Sequence, residues 1–154
     1  MANYIANIQW SRGDQIFVDN RYSRAHQIQF DGGTNLTASS SPHVVPVPYS
    51  DIAAVDPEEM FVASLSSCHM LWFLSIAAKA GFIVDTYQDN AEGKMEKNYS
   101  NKLIMSQVIL KPQVIFSGHQ LPSTEDVIQM HHQAHEECFI ANSVKTNVVC
   151  EPVF

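Results

Sequence analysis

The sequence predicts an α+β protein, with antiparallel sheet around one long buried central helix. Strand-like and helix-like segments follow in the order β-β-β-α-β-β-α-β, which is not the strict alternation of a parallel-sheet protein. One segment, from residue 57 to about residue 80, carries no Asp, Glu, Lys or Arg between Glu59 and Lys79. Hydrophobic residues make up 45% of the 154 residues and charged residues 16%, enough apolar material for a single domain over residues 1–154.

Residues 4–10 alternate well enough for a first strand, the run Ser11-Arg12-Gly13-Asp14 punctuates, and residues 15–20 resume the pattern. His26-Gln27-Ile28-Gln29-Phe30 alternates polar and apolar, and Asp31-Gly32-Gly33 supplies a hairpin turn into residues 36–39. Residues 40–56 contain Pro42, Pro46 and Pro48. Proline cannot donate to a ladder, so this stretch is an extended, irregular loop of the length usually tied to function. Asp56-Pro57-Glu58-Glu59 is a helix start: a capping carboxylate, proline at the first helical position, and negative charge at the positive end of the dipole. Gly81 stops the helix. A helix apolar or small on every side is a buried one, and Ala63, Ser64, Ser66 and Ser67 leave room for another backbone. Residues 82–87 and 103–116 read as strands, the second with an edge or bulge at Pro112. Ser123 caps a second helix with Asp126 at its third position, running to about Glu137, and residues 144–149 close the chain as a strand.

Nine Lys+Arg against sixteen Asp+Glu give a formal charge of −7, which excludes a phosphate-backbone binder and hence a nucleic-acid partner. The longest uninterrupted apolar run, Met70-Leu71-Trp72-Phe73-Leu74, is short of the roughly 18 residues of a membrane span. The first residues lack a basic start and an apolar signal segment, so the expectation is a cytoplasmic protein without a membrane partner. One sheet covers only part of an all-apolar helix, so the helix also predicts a homodimer with C2 symmetry.

Cys68, Cys138 and Cys150 are too few, and odd in number, for a secreted disulfide scaffold. Cys68 lies well inside the apolar helix. Cys138 continues the stripe Val127, Met130/His131 and Ala134, so it lies on the core face of the second helix. Two interior thiols from two elements can meet. Burial alone raises a thiol pKa and suppresses reactivity, so a working pair needs a cation nearby. Position 68 lies too far into its helix for the dipole to serve, and Arg12, Arg21 and Arg24 are the candidates.

The motifs Asp56-Pro57-Glu58-Glu59-Met60-Phe61, then Ala63 and Ser67-Cys68, and later Ala134-His135-Glu136-Glu137-Cys138-Phe139-Ile140-Ala141-Asn142-Ser143 resemble the OsmC/Ohr family of thiol-dependent hydroperoxide reductases. The resemblance covers roughly residues 20–150. It implies an intertwined homodimer with sites near the interface. It also implies a peroxidatic Cys68, a resolving Cys138, an arginine in the early hairpin at Arg24 (Arg21 being the alternative), and Glu58 holding that arginine over the thiolate. The implied activity is reduction of organic hydroperoxides, and more weakly of hydrogen peroxide, in oxidative-stress defence. The implied reductant is an external dithiol, a lipoyl protein or a thioredoxin-like one, and no cofactor is implied. On one straight helix Glu58 and Cys68 stand about 15 Å and about 80° apart. An arginine must bridge them, the helix must break, or the glutamate must act from the other subunit.

Two readings compete. His131, His135 and Cys138 fall at i, i+4 and i+7 on one helical face and are zinc-type ligands. A histidine-bearing helix face without metal is the commoner arrangement, so no metal is expected. The other is a stress or ligand-binding module that keeps the fold without the chemistry. His69 follows Cys68 directly, but adjacent helical residues point about 100° apart, which argues against a Cys-His dyad. Cys150 is expected to pack in the last strand.

Overall fold

The computed structural model describes residues 1–154, and the chain divides into two compact units, Met1–Met60 and Phe61–Phe154. In the first unit β1 (Ala6–Gln9), β2 (His26–Phe30) and β3 (Asn35–Ala38) form an antiparallel sheet in that order. Ile8, Ile28 and Leu36 stand in register across it. Gly33, at φ 87°, closes the β2–β3 turn with its amide on the Phe30 carbonyl at 3.0 Å.

Residues 15–20 do not resume a strand. Arg12 and Gln15 exchange side-chain bonds with each other's carbonyls at 2.6 and 2.9 Å, and Asn20 adopts a positive φ of 60°. The aromatic side chain in this stretch is used in a different way: Phe17 stacks on Tyr22 at 4.7 Å, and both pack against Trp10. Residues 40–56 are irregular, as the prolines require. The loop is tied to the sheet where the Ser39 amide reaches the Val55 carbonyl and the Asp51 amide reaches Ser39 Oγ, both at 3.0 Å.

Helix α1 (Pro57–Lys79) begins on a complete capping box. The Glu59 amide donates to Asp56 Oδ1 at 2.8 Å, and the Asp56 amide donates to a Glu59 carboxylate oxygen at 3.0 Å. The helix runs unbroken until Gly81, whose φ of 85° ends it. By length and composition α1 is long and apolar enough to cross a membrane. The short uninterrupted apolar run understates this, because Ser and His interrupt the run without adding charge.

In the second unit one stripe of α1, Leu65, His69, Phe73 and Ala77, is buried. Leu65 packs on Val108 and Leu110 of a sheet ordered β5 (Glu92–Lys97), β6 (Leu103–Leu110), β8 (Asn147–Cys150). Phe73 and Ala77 pack on Val127, Met130 and Ala134 of α2 (Thr124–Glu137), with side chains of β4 (Ile83–Asp89) and β7 (Pro112–Ser117) around them. Strands β4 and β7 pair antiparallel. Ser123 and Asp126 form the capping box that starts α2.

Three further expectations are corrected. Residues 103–116 are two strands in two sheets, separated at Lys111, with Pro112 opening β7. Strand β5 was not anticipated, because Glu92, Lys94, Glu96 and Lys97 give no apolar alternation and every residue in it is exposed. Its pairing with β6 and the Lys94–Glu96 and Lys111–Glu92 ion pairs, at 2.9 and 2.7 Å, go with it. The sheets are not purely antiparallel either: β8 joins β6 in parallel, from Gln107–Asn147 to Leu110–Cys150. A parallel return needs a long crossover, which α2 and a short 3-10 helix (Ala141–Ser143) supply.

Gly93 lies close against α1: a Cβ there would stand 2.6 Å from Val62 Cγ2 and 2.7 Å from Met105 Sδ. Gly93→Ala is expected to destabilise the fold by about 1–3 kcal/mol, read as a lower urea midpoint with an unchanged slope.

Candidate active site

Helix α1 presents Cys68 half-buried on a flank of its stripe. Cys138 caps the C-terminus of α2 and is 1% exposed. The Cys68 side chain lies beside the Cys138 thiol. Burial, first, and then the neighbouring Cys68 push the Cys138 thiol up to about 11. The amides of Ala141, 3.4 Å from Cys138 Sγ, and of Ile140 pull the other way. They are available because the chain turns into the 3-10 helix directly after α2. Trp72, one turn beyond Cys68, meets Phe139, the residue after Cys138, edge-to-face at 5.5 Å. The dithiol thus has an aromatic flank.

Arg24 and Glu58 belong to the first unit, where both line a cleft of about 410 Å³ walled by Trp10, Phe17 and Tyr22. Of the three arginines considered, Arg24 lines this cleft, while Arg12 and Arg21 are exposed. The Arg24 guanidinium lies 3.8 Å over the Tyr22 ring and donates to the Tyr22 carbonyl. It also donates to the carbonyl of Asn20 at 3.0 Å and to its Oδ1 at 2.6 Å. No ion pair joins Arg24 to Glu58 in this arrangement. Because α1 is continuous, a helix break between Glu58 and Cys68 is ruled out.

The trio His131, His135 and Cys138 is not the cluster that forms. His131 Nδ1 lies 2.9 Å from His69 Nε2, and Cys150 Sγ lies 3.6 Å from that same nitrogen. His69 therefore turns away from Cys68, as the helical step predicts, and Cys150 packs from the last strand on the Leu65, Val108 and Leu110 cluster, as expected, while its sulfur also meets His69. Periodicity could not show this, because the three residues come from α1, α2 and β8. A hint was available in His69 itself, a polar residue on the buried stripe of an apolar helix.

Residues 50–152 match the family model described as OsmC-like protein. The chain belongs to the OsmC-like family. It is 55% identical to an OsmC-like protein of unknown function from Vibrio cholerae, with a TM-score of 0.97 over 99% of this chain and 100% of that one. It shares its fold with an organic hydroperoxide resistance protein from Elizabethkingia anophelis (13% identity, TM-score 0.71, covering 99% of this chain and 94% of that one). It also shares it with one from Bacillus subtilis (15%, 0.68, 99% and 98%). No curated protein matches the chain.

A thiol pushed up to about 11 is ionised in only about one molecule in a thousand at pH 8, and thiolate is the reactive form. Iodoacetamide at pH 8 is therefore expected to label Cys68 well before Cys138 in the native protein, as mapped by peptide mass spectrometry. Equal rates at the two positions would contradict this geometry.

Proposed function

We propose that this protein is a two-cysteine hydroperoxide reductase acting on organic peroxides, and more weakly on hydrogen peroxide, in oxidative-stress defence. The observation that carries the reading is the neighbouring pair Cys68 and Cys138, one thiol half-buried and one closed off from water. Two thiols brought together from two helices are placed to close to a disulfide. Membership of the OsmC-like family supports the same chemistry.

Cys68, as thiolate, attacks the terminal peroxide oxygen. The O–O bond breaks, an alcohol (water from hydrogen peroxide) leaves after taking up a proton, and Cys68 becomes a sulfenic acid. The Cys138 sulfur then attacks the sulfenic sulfur, its proton leaves with the hydroxyl as water, and a Cys68–Cys138 disulfide forms. An external dithiol of the lipoyl or thioredoxin-like kind reduces that disulfide by exchange and is itself oxidised. Arg24 is the cation we assign to the thiolate, since a guanidinium is always charged and geometrically fixed. Glu58, which lines the same cleft, is the carboxylate we assign to it. Such chemistry requires a reducing compartment, so we place the protein in the cytoplasm.

The working form we propose is a homodimer built on the outer face of α1. Ala63, Ser67, Leu71, Ser75 and Ala78 follow one another at helical spacing and are exposed in the single chain, Leu71 at 61%. Light scattering should give twice the chain mass, and Leu71→Glu should shift it toward the monomer. A monomeric wild type at micromolar concentration would remove this part of the reading.

One equivalent of cumene hydroperoxide should produce a Cys68–Cys138 link detectable by mass spectrometry. Cys68→Ser should abolish peroxide consumption. Cys138→Ser should react once and hold a dimedone-reactive sulfenic acid, and Arg24→Gln should slow the first step about 100-fold. Steady turnover by Cys138→Ser with a small dithiol would show that Cys138 is not the resolving residue. No consumption by the wild type would leave a binding module.

A further inference from the structure

We propose that His69, His131 and Cys150 form a zinc site, separate from the Cys68–Cys138 pair. Three potential donors from three elements, His69 on α1, His131 on α2 and Cys150 on β8, converge so that their ligand atoms all lie within 4.8 Å of one another. Zinc bonds of about 2.0–2.1 Å to imidazole and about 2.3 Å to thiolate, at tetrahedral angles, place two nitrogens about 3.3 Å apart and a nitrogen and sulfur about 3.6 Å apart. The observed contacts are 2.9 Å for His69 Nε2 to His131 Nδ1 and 3.6 Å for His69 Nε2 to Cys150 Sγ. A shift of a few tenths of an ångström between the rings would seat the ion.

The protons support the same conclusion. Without an ion, one proton sits between the two ring nitrogens, and Cys150 meets a nitrogen already engaged. The outer nitrogens, His69 Nδ1 and His131 Nε2, are buried with no partner, and so is the Tyr87 hydroxyl beside His131. One of those outer nitrogens then carries an unpaired N–H and the other an unpaired lone pair, whichever tautomer is chosen. A cation uses the three inward lone pairs at once. Imidazoles bound to zinc carry their remaining proton on the outer nitrogen, and a phenol oxygen such as that of Tyr87 is an acceptor of the kind such groups take.

The surroundings suit a divalent ion. Both rings are held neutral by burial, His69 down to about 4 with His135 contributing, and His131 down to about 3 with His69 contributing. Burial, then Asp89 and Glu151, push the Cys150 thiol up to about 12. Zinc must therefore displace that proton, which goes to solvent as the sulfur–zinc bond forms. The negative field of Asp89, which opposes ionisation of Cys150 in the free protein, offsets part of the charge of the ion. Stacking of Phe73 on His131 at 4.1 Å fixes that ring. Cys150, half-buried while both histidines are closed off, is the most accessible of the three ligands. Two imidazoles and one thiolate leave a fourth position open, the pattern of reactive zinc rather than of a closed structural site.

The test uses the full-length reduced protein with zinc or cobalt(II) alone, and needs no activity measurement. Equilibrium dialysis with elemental analysis should find one zinc per chain. The cobalt form should show a thiolate-to-cobalt charge-transfer band and the visible bands of a tetrahedral ion. Cys150→Ser should lose the charge-transfer band, while Cys68→Ser and Cys138→Ser keep it. His69→Gln and His131→Gln should weaken zinc binding by at least about tenfold. In the wild type, which requires no folding of a variant, zinc should leave the alkylation rate of Cys68 unchanged, and metal uptake should persist after Cys68 has been alkylated. Failure of the folded wild type to take up stoichiometric metal, a cobalt–thiolate band that survives Cys150→Ser, or protection of Cys68 by zinc would each overturn the proposal.

Discussion

A helix of 23 residues with no charge between Glu59 and Lys79 is unstable in water unless other parts of the chain cover it. The second unit is organised by this constraint. Its two sheets and α2 take successive segments of one stripe, Leu65 against β6 and then Phe73 and Ala77 against α2, with β4 and β7 alongside. The close seat of Gly93 and the parallel return of β8 both follow from bringing sheet up to the first half of α1. The outer face of the same helix is left bare in the single chain, which is the physical basis of the proposed dimer.

One step along that helix separates two chemistries. Cys68 and His69 are neighbours in sequence, yet the helical turn sends them to different partners. Cys68 meets Cys138 at the end of α2, beside the amides of the 3-10 helix. His69 meets His131 from the middle of α2 and Cys150 from β8. The chain's third thiol therefore stands apart from the first two, beside the buried imidazole of His69, which is the physical basis of the proposed metal site.

Much of this was legible in the residues. The capping boxes at Asp56 and Ser123, the stop at Gly81 and the β2–β3 hairpin are local chemistry, and each forms where the side chains call for it. Burial of Cys138 followed from helical spacing. The stretch around residues 15–20 was not legible, because local hydrogen bonds and aromatic stacking there outweighed alternation. Strand β5 was not either, since an exposed charged strand is held by its neighbour and not by its own pattern. That Arg24, and not Arg21 or Arg12, lines a cleft shows only in the folded chain.

The sequence alone determined the helices, their ends and the inward face of α2, because those depend on hydrogen bonds and periodicity spanning only a few residues. It also identified Cys68 and Cys138 as candidate partners through the motifs around them. The tertiary structure decided the partition of strands among three sheets, the parallel sense of β8 and the meeting of His69 with His131 and Cys150. Those contacts join residues 62 and 81 positions apart. No local pattern encodes a distance across that much chain; it is set by how apolar surfaces pack together, and only the folded molecule displays it.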